Sequence, residues 1–570
     1  MKTLLSFVLV CFSMLSVFAQ TNYYVSPTGS NINIGSLTSP FKTIQHAWNQ
    51  LAAGDTLNIM AGTYNEKLNL NKSGTGGARI TLRNYANDMP LLSGTGISTQ
   101  DAMIQINDRS NINVMGLEIA NNIQLDAQGI AAMGNPRNIT IANCIIHDIH
   151  FSSNPNATVN ANTNAQGIIV YGNYTSAVAS NILIKDNELY NCRLGYSEGI
   201  AINGNIDGFE VSGNYVHDIT NIGIDAIGHE GTCAVAAYDQ ARNGLISNNK
   251  IHNCISPYAT SGGIYVDGAK HVIIERNTTY HNGYGIEVGC ENVGKSADSI
   301  VVRSNFIYDN EIAGIATGGY DYPSGSGKVT NVLVESNTLF KNDYTNSGAG
   351  ELLVSYVEAA KVYNNIMYAG PQNIMFYIEA NIMQIDLDNN LYFASPGLNN
   401  MEFYFNGNSM EGLAQYQTTM NQDPHSIYAI PAFVSTTLPN PNLHLSSGSV
   451  CINYGTSHSN AAQQLDIDGE PRLNGVIDMG ADEYYGTTGV EDIQAIFVKL
   501  YPNPTGGVLH IEAEDMENVT LYNMSGQLLL QQQTNVLDVK AFVDGVYFVH
   551  IKTKQGSAAK RIVKTAFDGQ

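Results

Sequence analysis

Six short apolar segments begin with Gly-Ile and align on one another: Gly167-Ile-Ile-Val-Tyr, Gly199-Ile-Ala-Ile-Asn, Gly223-Ile-Asp-Ala-Ile, Gly263-Ile-Tyr-Val-Asp, Gly285-Ile-Glu-Val-Gly and Gly314-Ile-Ala-Thr-Gly. Side chains alternate faces along a strand. With the second-position Ile inward, the third and fifth positions point outward. Three successive segments thus present Asp225, then Tyr265 and Asp267, then Glu287, whereas the flanking segments offer Ile169, Ala201, Asn203 and Ala316. If neighbouring strands stack about 4.8 Å apart and two residues span about 6.7 Å, the Asp267 and Glu287 backbones lie about 8 Å apart. The same holds for Asp225 and Asp267. An inverting glycosidase separates its acid and base by about 6.5–9.5 Å, and crowded carboxylates raise one another's pKa, as a general acid requires. Asp267 and Glu287 are therefore expected as acid and base, with Asp225 assisting and Tyr265 as a stacking platform for a sugar ring. Two other uses of the patch stand beside this one: a calcium site with Asp225, Asp267 and Glu287 as ligands, and a solvated acidic face.

The turns beside this face add candidates for substrate contact. Asp225 is followed by Gly228-His229-Glu230-Gly231, and the longer stretch Thr232–Asn243 is expected to wall a cleft and to supply Arg242. Glu351, after the glycine-rich turn 347–350, would close the far side. Hydrolysis of a polysaccharide by paired carboxylates needs no cofactor. A lyase acting on a uronide polymer would instead use Ca²⁺ on the patch to neutralise the substrate carboxylate, with Arg242, Lys270 or Lys295 as base. A surface adhesin or glycan-binding spacer would use the same face without chemistry, because function lives in sites grafted on folds.

The elements that must position these groups announce themselves by a repeat. Asparagine recurs about every 28 residues at Asn143, Asn187, Asn214, Asn249, Asn277, Asn305, Asn337, Asn365 and Asn390, each before a short apolar stretch such as VIIERN-TTYHN or VLVESN-TLFKN. Such a period marks a solenoid. Strands this short, rich in Ile and Val and punctuated by Gly or Asn, predict a parallel β-helix in an all-β chain. An asparagine at one turn of every coil tolerates left-handed backbone and can hydrogen-bond the coils above and below as a ladder. Apolar residues Ile44, Ala47, Trp48 and Leu51 share one face of a predicted helix over Thr43–Ala52, an amphipathic N-terminal cap.

Boundaries follow from shifts in this pattern: a cap and first coils over 20–99, repeats over 100–424, an aperiodic end over 425–486, a polar linker over 487–494, and a small β-sandwich over 495–570. Residues 1–19, with Lys2 ahead of the apolar stretch Leu4–Phe18, read as a secretory signal peptide. No later segment is apolar for long enough to span a bilayer. The net charge of −23, from 50 acidic against 27 basic residues, disfavours nucleic acid and anionic lipid as partners. It disfavours a polyuronate too, unless a metal ion or a basic patch intervenes. Cys11 leaves with the signal peptide. The six remaining cysteines lack metal-ligand spacing, and Cys192 and Cys254, two coils or about 9.6 Å apart, are beyond disulfide reach. They are expected as small core residues in an exported monomer.

Residues near the C-terminus resemble a known family. Tyr501–Pro504 (YPNP), Leu521–Gln527 (LYNMSGQ), Asp544–Val549 (DGVYFV) and the basic end Lys560–Lys564 look like the C-terminal sorting domain of type IX secretion. The resemblance implies engagement of that machinery and passage across the outer membrane to the cell surface or medium. Asp466–Tyr484 resembles a choice-of-anchor segment. Tyr23–Tyr64 resembles the opening of secreted right-handed β-helix proteins of the pectate-lyase-like superfamily, including family nine polysaccharide lyases. That family's ADGF-x-x-K element and calcium-binding aspartates have no legible counterpart, so no lysine is carried over.

Overall fold

The computed structural model describes residues 20–564 except 382–383, 396, 458–460, 487–497, 502, 504, 514, 524–527 and 554–555. The expected signal peptide and linker fall outside the described residues or largely so. The chain divides into two units, Met1–Tyr484 and Tyr485–Gln570.

The first unit is a parallel β-helix. One wall is a 13-stranded parallel sheet that starts with Asn22–Val25 and ends with Gln384–Asp388. A second sheet of 24 strands covers the other sides, and the long strands Glu188–Gly204 and Tyr215–Ile227 run through its corner. The six Gly-Ile segments pair in the expected register: Ile168 with Ile200, Ile200 with Ile224, Ile224 with Ile264, Ile264 with Ile286, and Ile286 with Ile315. All six isoleucines are fully buried in one core that runs from Val25 to Tyr416. A single coil has only one layer of such residues, so burial depends on the coils stacked above and below.

Buried asparagines lock this stack at one corner. The Asn214 amide N–H and Nδ2 both donate to Asn249 Oδ1, at 2.9 and 3.0 Å, and the unit repeats through Asn277, Asn305, Asn337, Asn365 and Asn390. Asn187 begins the series by accepting from the Cys144 amide, and Ser426 Oγ ends it. Two expectations need correction. Asn143 lies one residue before the ladder, and Cys144 occupies its rung. The left-handed residue is the one preceding each ladder asparagine, as at Asp186, Asn248, Arg276 and Ser304, so the ladder residue's value lies in its amide group rather than its backbone freedom. A second ladder runs Cys254, Asn282, Asn310, Asn342 and ends on Glu351.

The capping helix is shorter than expected, Ile44–Trp48, with Trp48 fully buried. Its N-terminus is satisfied from a distance, by Glu66, whose carboxylate accepts from the Ile44 and Gln45 amides at 2.9 and 3.1 Å. At the other end a helix over Leu413–Met420 lays Tyr416 on Phe403. The chain then returns along the outside of the coils, where Leu443 and Ala481 cover Phe306, Tyr308 and Phe340. The six cysteines among the described residues are free and buried, and Cys192, Ile219 and Cys254 stack as expected.

The second unit contains a three-stranded antiparallel sheet (Lys499–Tyr501, Val508–Glu512, Val536–Asp538) and a four-stranded one (Met516–Asn523, Leu528–Gln532, Gly545–Thr553, Gly556–Lys564). They enclose their own core of Leu509, Ile511, Leu521, Val549, Ile551 and neighbours.

Candidate active site

The register places Ala201, Asp225, Tyr265, Glu287 and Ala316 in one row across five coils. Asp267 lies two residues farther along its strand, beside Gly289. Above this row two cavities adjoin, of about 590 and 370 Å³, sharing Thr260 and Glu291. Asp225 and Asp267 form the floor of the larger, with Glu198, Glu230 and Glu291 around them and Asn203 and Asn221 between. Tyr265, Tyr284, Glu287 and Glu379 line the smaller.

Local turn chemistry brings the walls to the floor. The buried Asp239 carboxylate accepts from the Gly231 and Cys233 amides at 2.6 and 2.8 Å, folding the 228–233 turn so that Glu230 lines the cavity. Asn292 Nδ2 donates to Glu230 Oε1 and ties it to the segment that carries Glu291.

The two floor carboxyls sit in contrasting surroundings. Asp225 is 3% exposed, and its Oδ1 is buried without a hydrogen-bond partner. Burial, then the charges of Glu198, Asp267 and Glu291, hold its pKa well above the usual carboxylate range. Asp267 is 5% exposed, but its Oδ1 accepts the Glu291 amide N–H at 2.7 Å. Burial and Glu291 raise it as well, against the pull of that amide. Burial and Glu291 push Glu287 up to about 8, burial with Glu291 and Glu230 raises Glu198, and burial with Glu230 raises Glu291. No lysine or arginine lines either cavity among the described residues.

A cation site was one reading of this patch. Among the described residues, three potential ligand atoms come within 4.8 Å of one another at His444, Asp468 and Asp482 and not at the cleft acids. The cleft acids are strung along the coils rather than gathered round a point.

The structure brings together Asp225, Asp267 and Glu230 in the larger cavity and Tyr265 and Glu287 in the smaller. It separates the others. His229 is half-buried and directs Nε2 toward the Ser296 carbonyl at 3.3 Å. Arg242 lies on the opposite, 13-stranded sheet, where Nε donates to Asp207 at 3.1 Å. Glu351 does not close the cleft: it is fully buried and caps the second asparagine ladder, accepting from the Asn342 amide and Nδ2 at 3.0 and 2.7 Å. Tyr265 is 5% exposed, so its ring offers no open face to a sugar. Lys270 and Lys295 line neither cavity.

Sequence reasoning missed Glu198 and Glu291. Continuing the alternation from Glu287 by two more steps reaches Glu291, two residues past the strand end at Gly289. Glu198 is harder to find. A Cβ on Gly199 would strike Leu189 in the core, so Gly199 and Ile200 both face inward at a corner. Counting backward through that corner assigns Glu198 to the wrong face.

The comparisons with known proteins agree with this architecture. Residues 23–211 match the family model of the Pel9A-like right-handed β-helix region, residues 227–367 that of a right-handed β-helix region, and residues 499–565 that of the secretion system C-terminal sorting domain. The uncharacterized protein YwoF of Bacillus subtilis is 34% identical over 428 residues, which span 72% of this chain and 88% of YwoF. The chain belongs to the YwoF family of right-handed β-helix proteins. The pectate lyase PEL9 of Emericella nidulans is 33% identical over 101 residues, 17% of this chain and 25% of that protein. Among solved structures, the GH136 lacto-N-biosidase from Eubacterium ramulus is 18% identical with a TM-score of 0.47, covering 65% of this chain and 68% of that one. Pectate lyase Pel9A is 17% identical with a TM-score of 0.42, covering 82% and 98%. These last two likenesses concern the fold. The sorting domain directs this family member to the cell surface or the extracellular space.

Proposed function

We propose that the protein is an exported glycoside hydrolase that cleaves a polysaccharide laid across the cleft. The observation that carries this reading is the Asp225–Asp267 pair: neighbouring coils, one cleft floor, both buried, with one Asp225 oxygen unpartnered and Asp267 bonded to the Glu291 amide. Asp225, buried with an unpartnered oxygen and with its pKa raised well above the usual carboxylate range by burial, donates its proton to the glycosidic oxygen as the C–O bond breaks. Asp267, whose pKa burial also raises but whose Oδ1 accepts the Glu291 amide N–H, takes a proton from the water that attacks the anomeric carbon. Their backbones, one coil and two residues apart, are about 8 Å from each other by strand geometry, in keeping with the spacing of inverting enzymes. In this assignment Glu287 leaves the acid–base pair expected from sequence and serves the adjoining cavity. Elimination finds less support, because Arg242, Lys270 and Lys295 all stand outside the cleft. Export by the sorting domain fits a polymer too large to enter the cell.

Asp225→Asn and Asp267→Asn should each lower turnover by about 10²–10⁴-fold while circular dichroism stays that of the β-helix. Reducing ends, without unsaturated products absorbing in the ultraviolet, should appear on a panel of polysaccharides. Wild-type turnover in both variants, or binding with no product from any substrate, would sink the reading.

A further inference from the structure

We propose that the cleft takes a cationic glycan, an amino-sugar polymer carrying free ammonium groups, and rejects uronates. The proposal rests on the hydrolase reading for its site and goes beyond it in naming the substrate class.

Hydrolysis requires two carboxylates; the cleft holds seven. Glu198, Asp225, Glu230, Asp267, Glu287, Glu291 and Glu379 line the two adjoining cavities without one lysine or arginine among the lining residues. Asp225 and Asp267 are buried, Glu198, Glu287 and Glu379 half-buried, and Glu230 and Glu291 exposed. Carboxylates this crowded, with no countercharge, are costly to ionise, and surplus acids of this kind serve a two-carboxylate reaction only if something positive enters. Asp225 supplies the second observation. The residue lines the larger cavity, and its Oδ1 is buried with no hydrogen-bond partner in the protein, so an occupant of that cavity is the source we assign to the missing donor. An ammonium group brings three donors and a full charge, and a charge-assisted bond is about twice as strong as a neutral one.

The spread of the acids tells a polymer from an ion. Asp225, Asp267 and Glu287 sit on three successive coils, about 4.8 Å apart per coil, and the cleft acids do not gather three oxygens within 4.8 Å. A row of carboxylates matches charges repeated along a chain better than a single metal ion. The amides of Asn164, Gln166, Asn203 and Asn221 between them offer neutral donors and acceptors for sugar hydroxyls. A uronate would bring an eighth carboxylate into the same space.

Calorimetry on the full chain tests this with three oligomers of equal length: N-acetylglucosamine, its de-N-acetylated counterpart, and galacturonate. At about 20 mM salt the de-N-acetylated oligomer should bind at least tenfold more tightly than the acetylated one. Surface and cleft charges are screened as the Debye length shortens, so this preference should shrink several-fold at about 500 mM. Galacturonate should not bind. Glu230→Gln and Glu291→Gln should each reduce the preference several-fold. Equal affinity for the two hexosamine oligomers, a preference indifferent to salt, or galacturonate binding that appears on adding calcium would each overturn the proposal. The two readings fail separately. Cleavage of both hexosamine oligomers without preference removes the cationic substrate and leaves the hydrolase, whereas tight binding of the amine form with no cleavage of any substrate does the reverse.

Discussion

Burial and the neighbouring Glu291 charge push the Glu287 carboxyl from 4.5 up to about 8, and that shift has a consequence for stability. A folded-state pKa above the unfolded one means that the unfolded chain gives up this proton first as pH rises. Stability is therefore full below about pH 4.5, falls across the window to about pH 8, and stays reduced above it. Glu287→Gln removes the penalty. Its unfolding midpoint should exceed that of the wild type by about 2 °C or more at pH 8 and match it at pH 4, as read by differential scanning fluorimetry. An equal shift at both pH values would show that the effect is packing rather than ionisation. The same residue marks how far the site was legible. Asp225, Tyr265, Asp267 and Glu287 share a face because strand alternation is local geometry, and the Gly-Ile segments reveal it. Whether an outward side chain is solvated or lies on a cleft floor depends on the 228–241 and 256–261 loops, whose paths have no period. Glu351 shows the same gap: its glycine-rich turn is readable, but its role as the acceptor for Asn342, nine residues earlier, depends on how the intervening turn folds back.

At the level of elements, the asparagine ladder decides whether coils stay in register. Asn277 accepts from both the amide and Nδ2 of Asn249, and its own Nδ2 reaches the Ile246 and Glu275 carbonyls. Asn277→Ala strands these groups inside the protein, each at about 1–3 kcal/mol, so urea denaturation should report a loss of about 3–5 kcal/mol. Asn143→Gly is the contrast. Asn143 is exposed with a φ of 54°, and glycine accepts that backbone freely, so its cost should stay under about 0.5 kcal/mol. Comparable losses in the two variants would undo the reassignment of the first rung to Cys144. The period was legible because every coil must solve the same corner. Which of two adjacent turn residues is the rung was not, since pairs such as Asn248-Asn249 and Asn364-Asn365 suit both the left-handed position and the ladder. The cap helix was drawn too long for a related reason: Leu51 continues the apolar spacing and is buried, but it reaches the core from a turn after Trp48, not from another helical turn.

On the scale of the whole chain, the proposed chemistry and the address belong to separate units, each with a hydrophobic core of its own. The cleft acids all belong to the first, and the sorting-domain match lies wholly in the second. A unit that buries its own core is expected to fold without its neighbour. Residues 20–486 expressed alone should then keep the main unfolding midpoint within about 1 °C of the full chain and bind the same oligosaccharides within about twofold, because no residue of the cleft is lost. In a host with type IX secretion, the full-length protein should reach the surface or medium, and one lacking 499–565 should stay inside the outer membrane, as read by fractionation and immunoblot. Fusing residues 485–570 behind an unrelated exported passenger completes the test, since the passenger should follow the full-length protein outward. Secretion of the truncated chain would show that the β-helix carries an address of its own; a truncated chain that no longer binds would show that the second unit shapes the cleft.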